Sequence, residues 1–172
     1  DLREMAMPET VLGAIHDSGI AANRLVLELT EREILHVDQL VRGALGRLDL
    51  AGVQVAVDDF GTGYSSLSHL LDFPADDVKI DRRFVADLPD DPDALALVRG
   101  VVSMARGLGL RTVAEGVETE GAAQVLHQLG CDQLQGYLFA PARAADAALA
   151  WWLSHESSLP LAGSTQHRSG VT

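Results

Sequence analysis

Residues 53–66 of the chain read Val-Gln-Val-Ala-Val-Asp-Asp-Phe-Gly-Thr-Gly-Tyr-Ser-Ser. The apolar, β-branched beginning of this stretch predicts a short buried strand. Asp58 and Asp59 stand together at the C-terminal end of that strand, and Gly61 and Gly63 give a sharp loop the backbone freedom it needs. Adjacent carboxylates repel each other, and a divalent cation is the usual reason to keep such a pair at a strand end. An ordinary acidic turn is the other interpretation, since Asp and Gly are common turn residues.

Strand and helix patterns alternate along the rest of the chain. Short apolar runs predict strands at 25–29, 53–57, 78–81, 111–115 and 131–136. Apolar residues at helical spacing predict helices at 7–18, 37–48, 65–71, 92–108, 120–129 and 144–153. This alternation is typical of an α/β fold, in which a parallel sheet is covered by helices.

Composition excludes several classes of protein. The net charge of −12 argues against binding to a nucleic acid polymer or to an anionic membrane surface, because both require basic patches. Cys131 is the only cysteine, so no internal disulfide can form and we expect a reducing, cytoplasmic location. No apolar run is long enough to span a membrane, although an anchor elsewhere in a longer protein is left open. The polar stretch 157–172 predicts a disordered tail.

Polar side chains stand at the C-terminal ends of all five predicted strands. In chain order they are Glu28 and Glu31, Asp58 and Asp59, Lys79 and Asp81, Glu115 and Glu118, and Gln135. Active sites of parallel α/β folds lie at this edge of the sheet. Acids delivered there by several strands predict a metal-binding site, although any single one could be a solvated turn charge.

Lys79 is the only lysine of the chain, beside 12 arginines. The ammonium group of a lysine, placed among carboxylates, can orient a water molecule or protonate a leaving oxygen, which a guanidinium does poorly. The alternative is a simple ion pair with Asp81 or another acid.

These motifs together resemble those of the EAL-domain family, in order and in spacing, over about residues 2–153. They are Glu28-Leu-Thr-Glu31, Asp58-Asp59-Phe-Gly-Thr-Gly-Tyr-Ser-Ser66, Lys79-Ile-Asp81, Glu115-Gly-Val-Glu118 and Gln135-Gly-Tyr137. Members of this family are bacterial phosphodiesterases that open cyclic di-GMP to linear pGpG. The resemblance implies a TIM-barrel-like fold, here an incomplete barrel of about five βα units without the first strands, over residues 1–156.

The resemblance also implies roles for individual residues. The implied ligands of two Mg²⁺ or Mn²⁺ ions are Glu28, Asp58 and Asp59, with Asp58 bridging the ions. The implied catalytic residues are Lys79, which orients the attacking water, Glu115 and Gln135. Glu31 is expected to anchor the loop 60–66, which contains Gly61 and Gly63 and couples the site to a homodimer. Asp81 and Glu118 match supporting positions.

The sequence also departs from the family pattern. The Glu-Ala-Leu tripeptide that names the family is absent from these residues, as is an asparagine ligand. We therefore interpret the chain as the C-terminal part of an EAL domain. Two functions follow: a metal-dependent phosphodiesterase, favoured by the intact acids, or an inactive EAL domain that binds cyclic di-GMP or a protein. An unrelated Mg²⁺-dependent barrel enzyme explains the acids but not the glycine loop.

Overall fold

The computed structural model describes residues 7–62, 70–71 and 73–155. The chain divides into two compact units, Asp1–Ala140 and Pro141–Thr172, and the sheet belongs to the first. The predicted helix at 65–71 falls mostly outside the described residues, as do Gly63 and the predicted tail at 157–172.

The first unit is built on a parallel sheet of five strands, which confirms the predicted α/β class. The strands lie in the order β1-β2-β3-β4-β5, so that neighbours in the sequence are neighbours in the sheet. Their bounds are β1 Val26–Thr30, β2 Gln54–Phe60, β3 Asp77–Ile80, β4 Arg111–Ala114 and β5 Gln133–Leu134. Because every pair is parallel, all five C-terminal ends lie at one edge of the sheet.

Helices connect these strands. They are α1 Met7–Ser18, a 3₁₀ turn Ala22–Arg24, α2 Glu31–Ile34, α3 Gln39–Leu50, α4 Arg82–Val85, α5 Pro92–Leu108 and α6 Glu120–Leu129. The predicted limits of α5 are confirmed: the Asp91 side chain caps its first turn, and Gly109 ends it with φ 75°. Helix α3 begins two residues later than predicted, because the Asp38 carboxylate accepts a hydrogen bond from the Val41 N–H and caps it there.

The core lies on both faces of the sheet. Val55, Ala56 and Val57 are consecutive in β2 and all are buried. Since successive side chains of a strand point to opposite faces, both faces of β2 must be covered. Leu45 of α3, Val98 of α5 and Leu126 of α6 are fully buried in the same core. The apolar run at 53–57 therefore contributes a buried strand, as predicted.

Aspartates at the N-terminal edge of the sheet bind the starts of the strands. The Asp76 carboxylate accepts a hydrogen bond from the Val55 N–H at 2.8 Å. Asp132 accepts one from the Thr112 N–H at 2.8 Å and one from the Thr112 hydroxyl at 2.9 Å. These acids lie at the sheet edge opposite Asp58. Because the chain itself supplies their hydrogen-bond donors, they stabilise the sheet.

The second unit contains helix α7, Ala145–His155, among its described residues. The Trp151 ring stacks on the His155 ring at a centroid distance of 4.8 Å, and the Arg143 guanidinium lies 5.9 Å from a Trp151 ring. In the described part of the chain no helix combines the length and the apolar character that crossing a bilayer requires.

Asp77 and Arg111 form an ion pair between the first residues of β3 and β4. Two hydrogen bonds join them, at 2.5 Å from Nε and 3.0 Å from Nη2. Burial raises the pKa of Asp77 above its usual value, and the Arg111 guanidinium opposes that rise. The pair therefore lets a buried carboxylate stay charged at neutral pH.

Replacing Arg111 by Met should destabilise the fold by about 3 kcal/mol at neutral pH, because it leaves the Asp77 charge buried and unpaired. Without Arg111 the folded-state pKa of Asp77 rises further above the unfolded value. Below the unfolded-state pKa, this carboxyl group does not lower the free energy of unfolding. As the pH rises from there through the folded-state pKa, the free energy of unfolding falls. Urea unfolding of both proteins at about pH 5 and about pH 7.5 checks this expectation. An equal loss at both pH values would contradict it.

Candidate metal centre

Asp58 and Asp59 lie among the last three residues of β2, at its C-terminal end as predicted. In a regular strand two neighbouring side chains would point to opposite faces. The backbone departs from that pattern here: Asp59 has φ 54°, and the pairing of β2 with β3 shifts register between Val57 and Phe60. This bulge brings a carboxylate oxygen of Asp59 within 4.8 Å of one from Asp58.

Glu115 supplies the third acid of this group from the end of β4. Its backbone N–H donates to the Ile80 carbonyl at 3.1 Å, which continues the β3–β4 ladder by one residue. One oxygen each of Asp58, Asp59 and Glu115 lie within 4.8 Å of one another. We call these three residues the acid cluster.

Lys79 lies in the central strand β3 and contacts acids from three other strand ends. Its Nζ lies 2.8 Å from Glu28 Oε2, 3.0 Å from Asp58 Oδ1 and 2.8 Å from Glu115 Oε1. The Lys79 side chain is only 8% exposed. Burial alone would lower the pKa of Lys79, but the neighbouring carboxylates of Glu115, Glu28 and Asp58 outweigh that effect and raise the pKa above its usual value. Lys79 is therefore a charged ammonium whose partners are these three acids.

Asp58 Oδ1 fits a cation ligand. This oxygen is buried and lies at ion-pair distance from Lys79, yet nothing in the described part of the chain makes a hydrogen bond with it. Three carboxylates within 4.8 Å of one another repel strongly, and hard divalent cations prefer such oxygen donors. The donor set therefore suits Mg²⁺ or Mn²⁺ chemistry. Glu28 approaches this cluster through Lys79, and half of its side chain is exposed.

Asp81 supports the cluster from the start of α4. Its carboxylate accepts hydrogen bonds from the Arg83 N–H at 2.7 Å and from Arg83 Nε at 3.2 Å. Burial tends to raise the pKa of Asp81, but these bonds with Arg83 lower it. The pKa of Asp59 is raised, first by burial and then by its contact with Asp81 and the charge of Asp58. The sequence analysis did not identify Arg83 as a site residue. The only sequence signal for it is its position two residues after Asp81, which caps the helix.

Glu31 contacts the loop that follows β2. This glutamate is buried at the start of α2, whose first turn is closed by a capping box between Thr30 and Glu33. Glu31 Oε2 accepts a hydrogen bond from the Gly61 N–H at 3.1 Å. Gly61 has φ 94°, and a Cβ there would lie 3.2 Å from the Phe84 ring. The loop beyond Thr62 lies outside the described residues.

Gln135 and Glu118 lie at the margin of the site. The Gln135 N–H donates to the Ala114 carbonyl at 2.8 Å, and its own carbonyl accepts from the Val117 N–H at 3.0 Å. Both side chains are exposed, and Glu118 lines a groove with Arg82 and Thr119. The structure thus joins Glu28, Lys79 and the acid cluster directly, while the roles of Gln135 and Glu118 stay predictions.

Comparison with known proteins gives one family match over most of the chain. The EAL domain family model matches residues 1–142. Among curated relatives, the bifunctional diguanylate cyclase/cyclic di-GMP phosphodiesterase MucR of Pseudomonas aeruginosa is 40% identical over 142 residues, which are 83% of this chain and 21% of MucR. The chain spans 18% to 21% of the length of the curated relatives it matches.

Solved structures share the fold. The EAL domain of Mycobacterium smegmatis DcpA superposes with a TM-score of 0.80 at 41% identity, over 87% of this chain and 67% of that one. A manganese/cy-diGMP complex of Klebsiella pneumoniae BlrP1 gives a TM-score of 0.72 at 34% identity, over 77% of this chain and 34% of that one. These likenesses confirm a TIM-barrel-like EAL fold.

The positive φ of Asp59 predicts a difference between two variants that both remove its carboxylate. Asp59→Gly should be more stable than Asp59→Ala by about 1 kcal/mol, because only glycine adopts this left-handed conformation without strain. Chemical denaturation of the two variants side by side measures the difference. An alanine variant as stable as the glycine variant would show that the backbone here is not constrained.

Proposed function

This chain belongs to the EAL domain family, and from that membership we propose that it hydrolyses cyclic di-GMP to linear pGpG as a metal-dependent phosphodiesterase. The observation that carries the proposal is the acid cluster, in which carboxylates from two strands meet at the C-terminal edge of the sheet. Two similar proteins support the choice of substrate and cation: MucR is a diguanylate cyclase/cyclic di-GMP phosphodiesterase, and BlrP1 forms a complex with manganese and cyclic di-GMP. The single cysteine suits the reducing cytoplasm in which we place this activity.

Two Mg²⁺ or Mn²⁺ ions are the proposed cofactor. Asp58, Asp59 and Glu28 would hold them, with Glu115 completing the acidic surroundings. When bound, such ions activate a water molecule and stabilise charge on the phosphate oxygens. They would also offset the acids, which otherwise repel an anionic dinucleotide from a chain of net charge −12.

Lys79 contributes a hydrogen-bond donor to the reaction. Its ammonium lies within 3.0 Å of one oxygen each of Glu28, Asp58 and Glu115, and these acids raise its pKa and favour its protonated form. A donor beside the acid cluster can orient the attacking water or stabilise the leaving oxygen. Glu115, whose Oε1 lies 2.8 Å from the Lys79 Nζ, would accept a proton from that water. Gln135 would add a hydrogen bond at the margin of the site.

Glu31 and the loop 60–66 are the proposed link to a homodimer. The hydrogen bond from the Gly61 N–H to Glu31 supports the anchoring role, because it joins the beginning of the loop to a buried side chain. A shift of this loop would be transmitted to Asp59, two residues before Gly61, and so to the acid cluster.

A second function is binding of cyclic di-GMP without hydrolysis. One observation favours it: Lys79 already neutralises Glu28, Asp58 and Glu115 in part, so these acids have a positive partner without any metal ion. Calorimetry with and without Mg²⁺, combined with product analysis, separates the two functions. Metal-independent binding with no linear product would establish the second.

Asp58→Asn should reduce hydrolysis of cyclic di-GMP by roughly a thousandfold or more, because it removes the charge at the buried centre of the acid cluster. The measurement is pGpG formation with Mn²⁺, in a polypeptide that contains this chain. Asp49→Asn, on the exposed surface of α3, is the matched control and should leave the rate unchanged. Turnover retained in Asp58→Asn would refute the metal-centre mechanism.

A further inference from the structure

The contacts of Lys79 overlap with the group of oxygens that would bind a cation. Two of its three partners, Asp58 and Glu115, belong to the acid cluster. An ammonium group has three N–H donors, and Lys79 Nζ has three carboxylate oxygens at 2.8–3.0 Å. The ammonium and these two acids of the acid cluster therefore offset part of each other's charge.

A divalent cation at the acid cluster would disturb this arrangement. It would require oxygens of Asp58 and Glu115 and would stand close to a like-charged ammonium. Two such charges a few ångströms apart repel appreciably even at the higher effective dielectric constant of a protein rim. The Lys79 side chain is 8% exposed, so bulk water screens little of that repulsion.

On the premise of the proposed metal centre, we propose that Lys79 competes with the cation for the carboxylates of the acid cluster. In the metal-free protein its ammonium holds Asp58 and Glu115, and it must release at least one of them before a cation binds. Lys79 thus lowers the cation affinity of the site below what the acids alone would give. If Lys79 instead helped the acids to bind the cation, its removal would weaken cation binding.

Glu28 is the third partner of the ammonium, 2.8 Å from its Nζ, and it is also one of the proposed cation ligands. It lies on β1, outside the acid cluster, and half of its side chain is exposed. A cation held by Glu28 and Asp58 would therefore meet Lys79 at two of the three carboxylates that surround its ammonium.

Calorimetric titration of the full chain with Mn²⁺ tests this competition. Lys79→Met keeps the length and the apolar stem of the side chain and removes the charge, so it should bind Mn²⁺ roughly tenfold more tightly than the native chain. Arg99→Met, which removes an exposed positive charge from α5, is the matched control and should bind as the native chain does. Equal or weaker binding by Lys79→Met would overturn the competition. Failure of the native chain to bind Mn²⁺ would instead overturn the proposed metal centre.

A spectroscopic measurement on the native chain does not depend on the folding of a variant. Because Lys79 is the only lysine, ¹⁵N-labelled lysine gives a single ammonium signal by NMR. Three carboxylate oxygens within 3.0 Å and a buried position should make that signal slow to exchange in the metal-free protein. Saturation with Mg²⁺ should shift it and speed its exchange. A signal unchanged by bound Mg²⁺ would refute the release of Lys79.

Discussion

The buried ammonium of Lys79 is the interaction on which the C-terminal edge of the sheet depends. Parallel strands bring Glu28, Asp58 and Glu115 to the same place, where three carboxylates would repel one another. The strand that carries Lys79 lies at the centre of the sheet, so one positive charge reaches acids on both sides. The order of the strands therefore decides which charged side chains come close together, and the ammonium reduces the repulsion between the three carboxylates.

The two edges of the sheet use acids in different ways. At the N-terminal edge, Asp76 and Asp132 accept hydrogen bonds from backbone N–H groups, and Asp77 pairs with Arg111. Those acids have partners from the chain and hold the strands in register. At the C-terminal edge Asp58 keeps a buried oxygen for which no described residue provides a hydrogen bond. That difference in hydrogen bonding, rather than the number of acids, separates structural carboxylates from a candidate cation site.

Local backbone strain contributes to the same site. Asp59 adopts φ 54° where the pairing of β2 and β3 loses its regular register, and this conformation turns two adjacent carboxylates toward one point. Strain of this kind persists where surrounding contacts fix it, here through Asp81 and through the hydrogen bond between Gly61 and Glu31. Membership of the EAL domain family agrees with a functional reason for that strain.

The sequence by itself determined the α/β class, the limits of helix α5, and the polar residues at each strand end. These features depend on periodicity, caps and glycines, which act over a few neighbouring residues. Only the tertiary structure decided that Lys79 pairs with Glu28, Asp58 and Glu115 instead of Asp81, that Asp59 turns beside Asp58, and that Arg83 holds Asp81. Such contacts depend on the register and spacing of strands distant in the chain, and no local pattern encodes those distances.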